Sequence, residues 1–157
     1  MMIHAYSDLY LESAQNIIGH MFDFAVNENG ISGDTFAEMF THSQYAGQVE
    51  KGNPAFVAGK TGPELARLVL ESEGYGKPIK DDVMYADRSP EYWAGWSVAY
   101  YQWLINKSFS YIFEAVMFSE LIKMYPIYHE MDITRFVTEM DRREALYYQE
   151  TSLEYER

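Results

Sequence analysis

The sequence predicts an all-α protein, a compact single-domain bundle of about six or seven helices over residues 1–150, with a frayed C-terminal tail over residues 151–157. Apolar residues recur at intervals of three and four, which is the spacing of one helix face. Cap and breaker residues divide the chain into segments of helical length, and no segment alternates polar and apolar residues as a half-buried strand does. A chain of 157 residues can bury a core without disulfides, and this one has no cysteine to form them.

The helix starts are predicted from residues that suit a first helical turn. Ser, Thr and Asp oxygens accept a free backbone N–H there, and proline already has a helical φ. The expected helices and their start signals are 8–28 after Ser7, 35–43 after Asp34, 63–74 at Gly62-Pro63, 91–106 after Ser89-Pro90, 109–116 after Ser108, 120–125 after Ser119 and 133–150 after Asp132. Residues 44–53 are expected to add another helical turn or two. The expected stops are Asn29-Gly30, Gly52-Asn53-Pro54, Asn106-Lys107 and Pro126. Residues 74–88, which combine glycine, proline and mixed charge, are predicted to form a surface loop.

The helix predicted over residues 91–106 is the most aromatic stretch of the chain. One helical stripe, predicted to be the hydrophobic centre of the bundle, consists of Trp93, Trp96, Tyr100, Trp103 and Leu104. Tyr92 and Tyr101 lie off this stripe, so we expect them to face a groove or a partner, where tyrosine is enriched. An alternative function uses the same helix, because an aromatic pocket lined by residues 90–105 could serve a small enzyme or a ligand-binding domain.

Charge is the clearest global feature of the sequence. The chain has 24 acids and 12 bases, a formal charge of −12, and residues 1–50 hold seven acids and no Lys or Arg. We therefore expect an anionic surface that repels nucleic acid and attracts a basic protein surface. The predicted partner-binding residues are Asp8, Glu12, Asp23, Glu28, Asp34, Glu38, Tyr92 and Tyr101. The alternative is that the acidity serves solubility alone.

The triplet Gly59-Lys60-Thr61 has the form of the end of a phosphate-binding loop. In the full GxxxxGK[ST] pattern the first glycine would stand at position 54, where this chain has Pro54. Proline lacks the N–H that such a loop aims at a phosphate, and no buried strand precedes it. We therefore predict that the triplet is a turn and a helix cap.

Signals for metal binding or catalysis are sparse. Two polar candidates, Glu38 with His42 and His129 with Glu130 and Asp132, are typical of capped or solvated clusters. A third, His20 near Asp23, is expected to be a partly buried, hydrogen-bonded histidine rather than a base. The HExxH and ExxH patterns of helical metal sites are missing, and without cysteine there is no thiol nucleophile. We predict no catalytic residue, metal or cofactor, and leave open whether the chain is an enzyme. The outline of two short helices over 109–125 resembles a helix-turn-helix, but the segment is too acidic for direct nucleic-acid binding.

Four stretches, in order over nearly the whole chain, resemble a group of small acidic bacterial proteins. They are "YLESAQNIIGHMFDFAV", "KGNPAFVAGKTGPELA", "DRSPEYWAGWSVAYYQW" and "MYPIYHEMDITRFV". The group is associated with mobile elements and toxin–antitoxin-like loci, so the resemblance implies a small accessory role. It carries over no catalytic residue.

Together these features predict an acidic protein-binding module that neutralises or regulates a macromolecular partner. An antitoxin or a phage-type inhibitor, including an anti-CRISPR protein, has this character, and its partner would be a toxin, a nuclease or another nucleic-acid-binding protein. The N-terminus has no signal-peptide pattern, and no stretch has the length and apolarity of a membrane span. We therefore expect a cytoplasmic protein, and the sequence leaves its oligomeric state open.

Overall fold

The computed structural model of the chain describes residues 3–80 and 89–156, with side chains as far as residue 150. Over these ranges the protein is helical and has no β-strand, which confirms the predicted all-α class. The described residues form nine α-helices, slightly more than predicted: α1 (Leu11–Asp23), α2 (Gly33–His42), α3 (Gln44–Glu50), α4 (Pro54–Val57), α5 (Gly62–Ser72), α6 (Pro90–Ile105), α7 (Phe109–Ala115), α8 (Phe118–Tyr128) and α9 (Ile133–Glu156). One of the additional elements is α4, a single turn that starts because Asn53 Oδ1 accepts a hydrogen bond from the Ala55 N–H.

The first predicted helix changes its winding along its length. A 3-10 turn over Asp8–Tyr10 follows the Ser7 cap, α1 follows that turn, and a π-helical turn over Phe24–Glu28 closes the segment. The chain leaves it at Gly30, whose φ of +66° favours glycine. The predicted Asn29-Gly30 stop is therefore confirmed.

Several predicted caps are confirmed by their hydrogen bonds. Ser89, Ser108 and Asp132 each accept a backbone N–H two or three residues ahead, at the starts of α6, α7 and α9. Asn106 ends α6 in the left-handed conformation, with φ of +53°. These signals could be read from the sequence because each cap acts within its own turn.

The predicted cap at Asp34 is wrong. Ser32 caps α2 by accepting from the Thr35 N–H, and Asp34 lies inside the first turn. The Asp34 carboxylate instead accepts from the Ser119 N–H at 2.8 Å, at the start of α8, 85 residues away. The Asp34 side chain, predicted from the sequence to cap α2, therefore caps α8.

The predicted bounds of α8 are wrong at both ends. The helix begins at Phe118 rather than after Ser119, because the Glu120 carboxylate accepts from the Met117 N–H just before it. It also continues through Pro126 to Tyr128. Pro126 has no backbone N–H, so one helical hydrogen bond is missing there. The helix tolerates this loss because Pro126 lies in its last turn.

The centre of the core is the crossing of α1 and α6, whose backbones lie in direct contact. A Cβ added to Gly95 would lie 2.7 Å from the Ile18 carbonyl oxygen, and one added to Gly19 would lie 2.9 Å from the Tyr92 carbonyl oxygen. The residues one turn after Gly95 on the same face of α6, Val98 and Ala99, are small and buried. A close crossing of this kind excludes large side chains.

The predicted aromatic stripe therefore lies at the edge of the core instead of at its centre. Trp93, Trp96, Tyr100 and Leu104 are only partly buried, and Trp103 is covered by the N-terminal segment, where its ring nitrogen donates to the Tyr6 carbonyl. Since α6 is apolar on all sides, periodicity alone could not indicate which face is innermost.

Two predicted regions are described only in part. Residues 81–88 of the predicted 74–88 loop lie outside the described residues. The backbone of α9 is helical to Glu156, and the predicted fraying of residues 151–157 stays a prediction. In the described portions of the chain, no helix combines the length and the apolar character needed to cross a membrane.

Candidate functional site: an acidic groove between α2, α7 and α8

The predicted acidic residues do not form one surface. Asp8 and Glu12 are exposed at the start of α1, on either side of Leu9. Glu12 lines a shallow groove of about 510 Å³ beside the start of α5, together with His20. Both acids are exposed, and their binding of a partner stays a prediction.

Asp23 and Glu28 have a different role from the one predicted. The Asp23 carboxylate accepts hydrogen bonds from the Asn27 amide and the Ser89 hydroxyl, so it joins the end of α1 to the start of α6. Glu28 is half-buried, and its Oε1 atom is enclosed with no hydrogen-bond partner among the described residues. The structure thus gives Asp23 a role within the fold, whereas binding of a partner by either acid stays a prediction.

Asp34 and Glu38 lie together in a groove between α2 and the α7–α8 corner. Its volume is about 400 Å³, and we call it the acidic groove. It is lined by Asp34, Ala37, Glu38, Thr41, Ser110, Phe113, Glu114, Met117 and Phe118. Glu114 was not among the predicted residues, because it comes from α7 and lies opposite α2 only where the fold brings the two helices together.

The floor of the acidic groove is aromatic and firmly packed. Phe118 is 1% exposed and stacks on Phe22 with 4.4 Å between the ring centroids. Gly33 makes this packing possible, because a Cβ at that position would overlap the Phe118 ring. Met117 forms an apolar rim and is 52% exposed.

The rim of the acidic groove carries uncompensated negative charge. Glu38 and Glu114 are exposed and Asp34 is half-buried. The lining residues include three acids and no Lys, Arg or His, as far as the structure describes the chain. Asp34 has a role in the fold, because it caps α8. The carboxylates of Glu38 and Glu114 have no hydrogen-bond or ion-pair partner among the described residues, so they can meet a cation from outside.

Tyr92 and Tyr101 do not face a groove or a partner, so this part of the prediction is wrong. Tyr92 is 3% exposed and its hydroxyl donates to Asn16 on α1. The Tyr101 ring is fully buried, and its hydroxyl lies 2.7 Å from Asp141 and 2.6 Å from Glu144 on α9. Burial first, and then these two carboxylates, raise the pKa of Tyr101. Both tyrosines hold helices together.

The Gly-Lys-Thr triplet forms a turn and a cap, as predicted. Thr61 Oγ1 accepts from the Glu64 N–H, and the Glu64 carboxylate accepts from the Thr61 N–H. The start of α5 thus already holds an anion of its own, in the place where a phosphate would bind. The Lys60 ammonium lies over the Phe56 ring, 5.1 Å from its centroid.

Of the histidine candidates, His42 pairs with another residue than the sequence suggested, whereas His129 lies near the Glu130 that the sequence grouped with it. His42 Nδ1 lies 2.9 Å from the Glu73 carboxylate of α5, so it pairs with that residue rather than with Glu38. His129 lies 3.7 Å from Glu130. Across residues 3–80 and 89–150, no three His, Asp or Glu side chains are grouped as a metal site requires.

Comparisons of the chain with protein-family models, with curated proteins and with solved structures find no match. The resemblance to proteins encoded near mobile elements therefore stays a prediction. The function has to be inferred from the chemistry of the acidic groove.

Proposed function

We propose that the chain is an acidic protein-binding module that neutralises or regulates a basic macromolecular partner through the acidic groove. The observation that supports this function is the combination of three carboxylates, no cation and an exposed methionine around an aromatic floor. Charge steers a basic partner towards such a surface, and the apolar contacts hold it there.

The acidic groove has the chemistry of a receptor for a lysine or arginine side chain. The long apolar stem of either residue packs on rings such as Phe113 and on Met117, while its cationic head reaches Glu38 and Glu114. Arginine suits the site better, because its planar guanidinium stacks on aromatic rings and can bind two carboxylate oxygens at once.

The partner class follows from the charge of the whole molecule. A formal charge of −12 opposes direct binding to nucleic acid and favours proteins whose own surfaces bind nucleic acid. A toxin, a nuclease or a similar enzyme is such a partner, and an acidic domain that covers its basic surface acts as an antitoxin or as a phage-type inhibitor, for example an anti-CRISPR protein. We place this activity in the cytoplasm, where these partners work.

The test is a pulldown from the source host with the purified chain as bait, at low and at moderate salt. The Glu38→Lys/Glu114→Lys double variant reverses the rim of the acidic groove. The Asp8→Lys/Glu12→Lys double variant is a matched control, because it changes the net charge equally at another exposed place.

We expect a basic protein that is captured at low salt, reduced at moderate salt, lost with the first variant and kept with the second. Equal capture by both variants would contradict a role for the groove. If neither variant nor the wild type captures a protein, and a small molecule copurifies instead, the protein-binding function is wrong.

A further inference from the structure

The corner formed by the end of α8 and the first half of α9 differs in charge from the acidic residues 1–50. Residues 123–143 contain four bases, Lys123, Arg135, Arg142 and Arg143, and four acids, Glu130, Asp132, Glu139 and Asp141. Their formal charges cancel, so the whole charge of −12 lies outside this segment. We call this segment the neutral corner.

The neutral corner also exposes apolar side chains next to one another. Ile127 is 58% exposed and Met131, four residues later, is 49% exposed. With the half-buried Tyr128 they line a groove of about 660 Å³ between the two helices. Arg135 and Glu139 form its α9 side, and Thr138 lies between them.

We propose that the neutral corner is a self-association surface that binds a second copy of this chain in a twofold dimer. Two molecules of charge −12 repel each other over most approaches, but the formal charges of residues 123–143 sum to zero on each side, and Arg135 lines the groove beside Asp132 and Glu139. A twofold axis places each exposed apolar residue against the same surface of its partner. It also places the arginines of one copy where they can face the acids of the other.

Leu9 is the natural comparison, because it is the more exposed apolar residue at 88%. Its neighbours are Asp8 and Glu12, both exposed and both negative. A twofold contact there would bring these like charges together, and the groove beside Leu9 contains no Lys or Arg among its described lining residues. If exposed apolar area alone decided where two copies meet, Leu9 would be the contact residue. The negative charge around Leu9 opposes such a contact, so the neutral corner is the better contact surface.

Dimerisation at the neutral corner leaves the acidic groove open. The groove uses the beginning of α8 and the corner uses its end, and the 11 residues of that helix span about 16 Å. A dimer then presents two acidic grooves, and two weak contacts to a multimeric partner become one stronger attachment. Dimerisation goes beyond the proposed function and can be tested without knowing the partner.

The first test is sedimentation velocity of the purified chain from low to high micromolar concentration. We expect a shift from the monomer mass of 18.3 kDa towards twice that value. The Ile127→Glu/Met131→Glu variant, which places two charges in the contact, should weaken the association by at least about 100-fold. The Leu9→Glu variant should leave it unchanged, and circular dichroism checks that all variants fold.

The second test uses the lack of cysteine in the chain. A Met131→Cys variant and a Leu9→Cys variant each have a single thiol, so a flexible bis-maleimide can join only two copies. We expect rapid crosslinking through position 131 and slow crosslinking through position 9, although the latter is more exposed.

Three results would overturn the proposal. The wild type could remain a monomer at every concentration, which would also be the outcome if a different protein covers the corner. The dimer could survive the Ile127→Glu/Met131→Glu change. The Leu9 variants could dissociate or crosslink the dimer as strongly as those at the corner. None of these results bears on capture of a basic partner by the acidic groove, so the two proposals fail separately.

Discussion

The two ends of α8 use carboxylates in opposite ways. At its beginning, Glu38 and Glu114 stand beside the helix with no base in the groove that they line. At its end, Glu139 accepts from Arg142 at 2.6 Å and from Arg143 at 2.8 Å. One end holds charge that nothing in the described chain compensates, while the other is balanced internally.

This difference separates charge that supports the fold from charge that is available for binding. The two arginines lower the pKa of Glu139 to about 2, so its ionised form stabilises the folded protein. The rim of the acidic groove has no such pairing, and its acids add repulsion instead. Unpaired surface charge that costs stability is typical of a binding surface.

The largest expected effect on stability comes from a substitution that disrupts the packing of the floor of the acidic groove. Gly33→Ala forces a Cβ into the buried Phe118 ring, which cannot move because it stacks on Phe22. We expect the free energy of unfolding to fall by about 2 to 3 kcal/mol, as for other overpacked cores. Urea denaturation measures the change.

The matched control is Gly47→Ala. A Cβ at Gly47 meets no atom within 4 Å, and the residue lies within α3. Alanine should therefore raise the free energy of unfolding by about 0.5 to 1 kcal/mol through its higher helix propensity. If the two variants are equally stable, Gly33 does not shape the groove floor.

The next largest effect on stability comes from removing the ion pairs of Glu139 with Arg142 and Arg143. Glu139→Gln removes the acceptor of both arginines, and we expect a loss of about 1 kcal/mol at neutral pH, because the arginines are partly exposed and water screens the pairs. The contribution of Glu139 is fully present above its ordinary pKa of 4.5 and is lost as pH falls through about 2. Wild type and variant should thus differ in urea denaturation at neutral pH and converge near pH 2. If the difference in the free energy of unfolding did not change with pH, the substitution would act through packing and not through the ionisation of Glu139.

The sequence predicted what depends on neighbours along the chain. The Thr61, Ser89 and Ser108 caps and the Asn106 stop each act within one turn, so the residue types are sufficient to indicate them. The core face of α1 likewise follows from local spacing, because Ile18 lies three and four residues before Met21 and Phe22, and all three are fully buried.

The sequence could not predict what depends on distant partners. Asp34 caps α8 instead of α2, and Tyr101 is buried because α9 supplies Asp141 and Glu144 around its hydroxyl. The acidic groove itself joins residues 34–41 to residues 110–118, so no local pattern marks Glu114 as a neighbour of Glu38. Glu38 and Glu114 line one groove only because the tertiary fold brings α2 and α7 together.

A smaller effect on stability is expected at Glu50, which is half-buried and has a hydrogen-bond donor but no basic partner among the described residues. Glu50 accepts from the Phe109 N–H at 2.8 Å and so supports the start of α7, one wall of the acidic groove. Burial raises the pKa of Glu50, and the hydrogen bond lowers it less. The stabilising effect of protonation is therefore fully present below the ordinary value of 4.5 and is lost as pH rises through the raised folded value.

Glu50→Gln keeps an oxygen acceptor for Phe109 and removes the buried charge. We expect the variant to be more stable than wild type at neutral pH, by a few tenths of a kcal/mol up to about 1. The gain should vanish well below pH 4.5, where the wild-type carboxyl is neutral as well. Thermal denaturation at both pH values measures it, and a destabilised variant at neutral pH would mean that the ionised carboxylate is the better cap.

The smallest expected effect distinguishes a binding surface from a structural one. In the Glu38→Gln/Glu114→Gln variant neither side chain loses a hydrogen bond or an ion pair within the described residues, so the free energy of unfolding should change by less than about 0.5 kcal/mol. Any change should be a slight gain at low salt that disappears when salt screens the rim. Glu139→Gln, at the other end of α8, is the matched control, since the same chemical change there should cost stability. A loss of more than about 1 kcal/mol in the groove variant would mean that its carboxylates are paired and support the fold, and the acidic groove would then have no free charge to offer a partner.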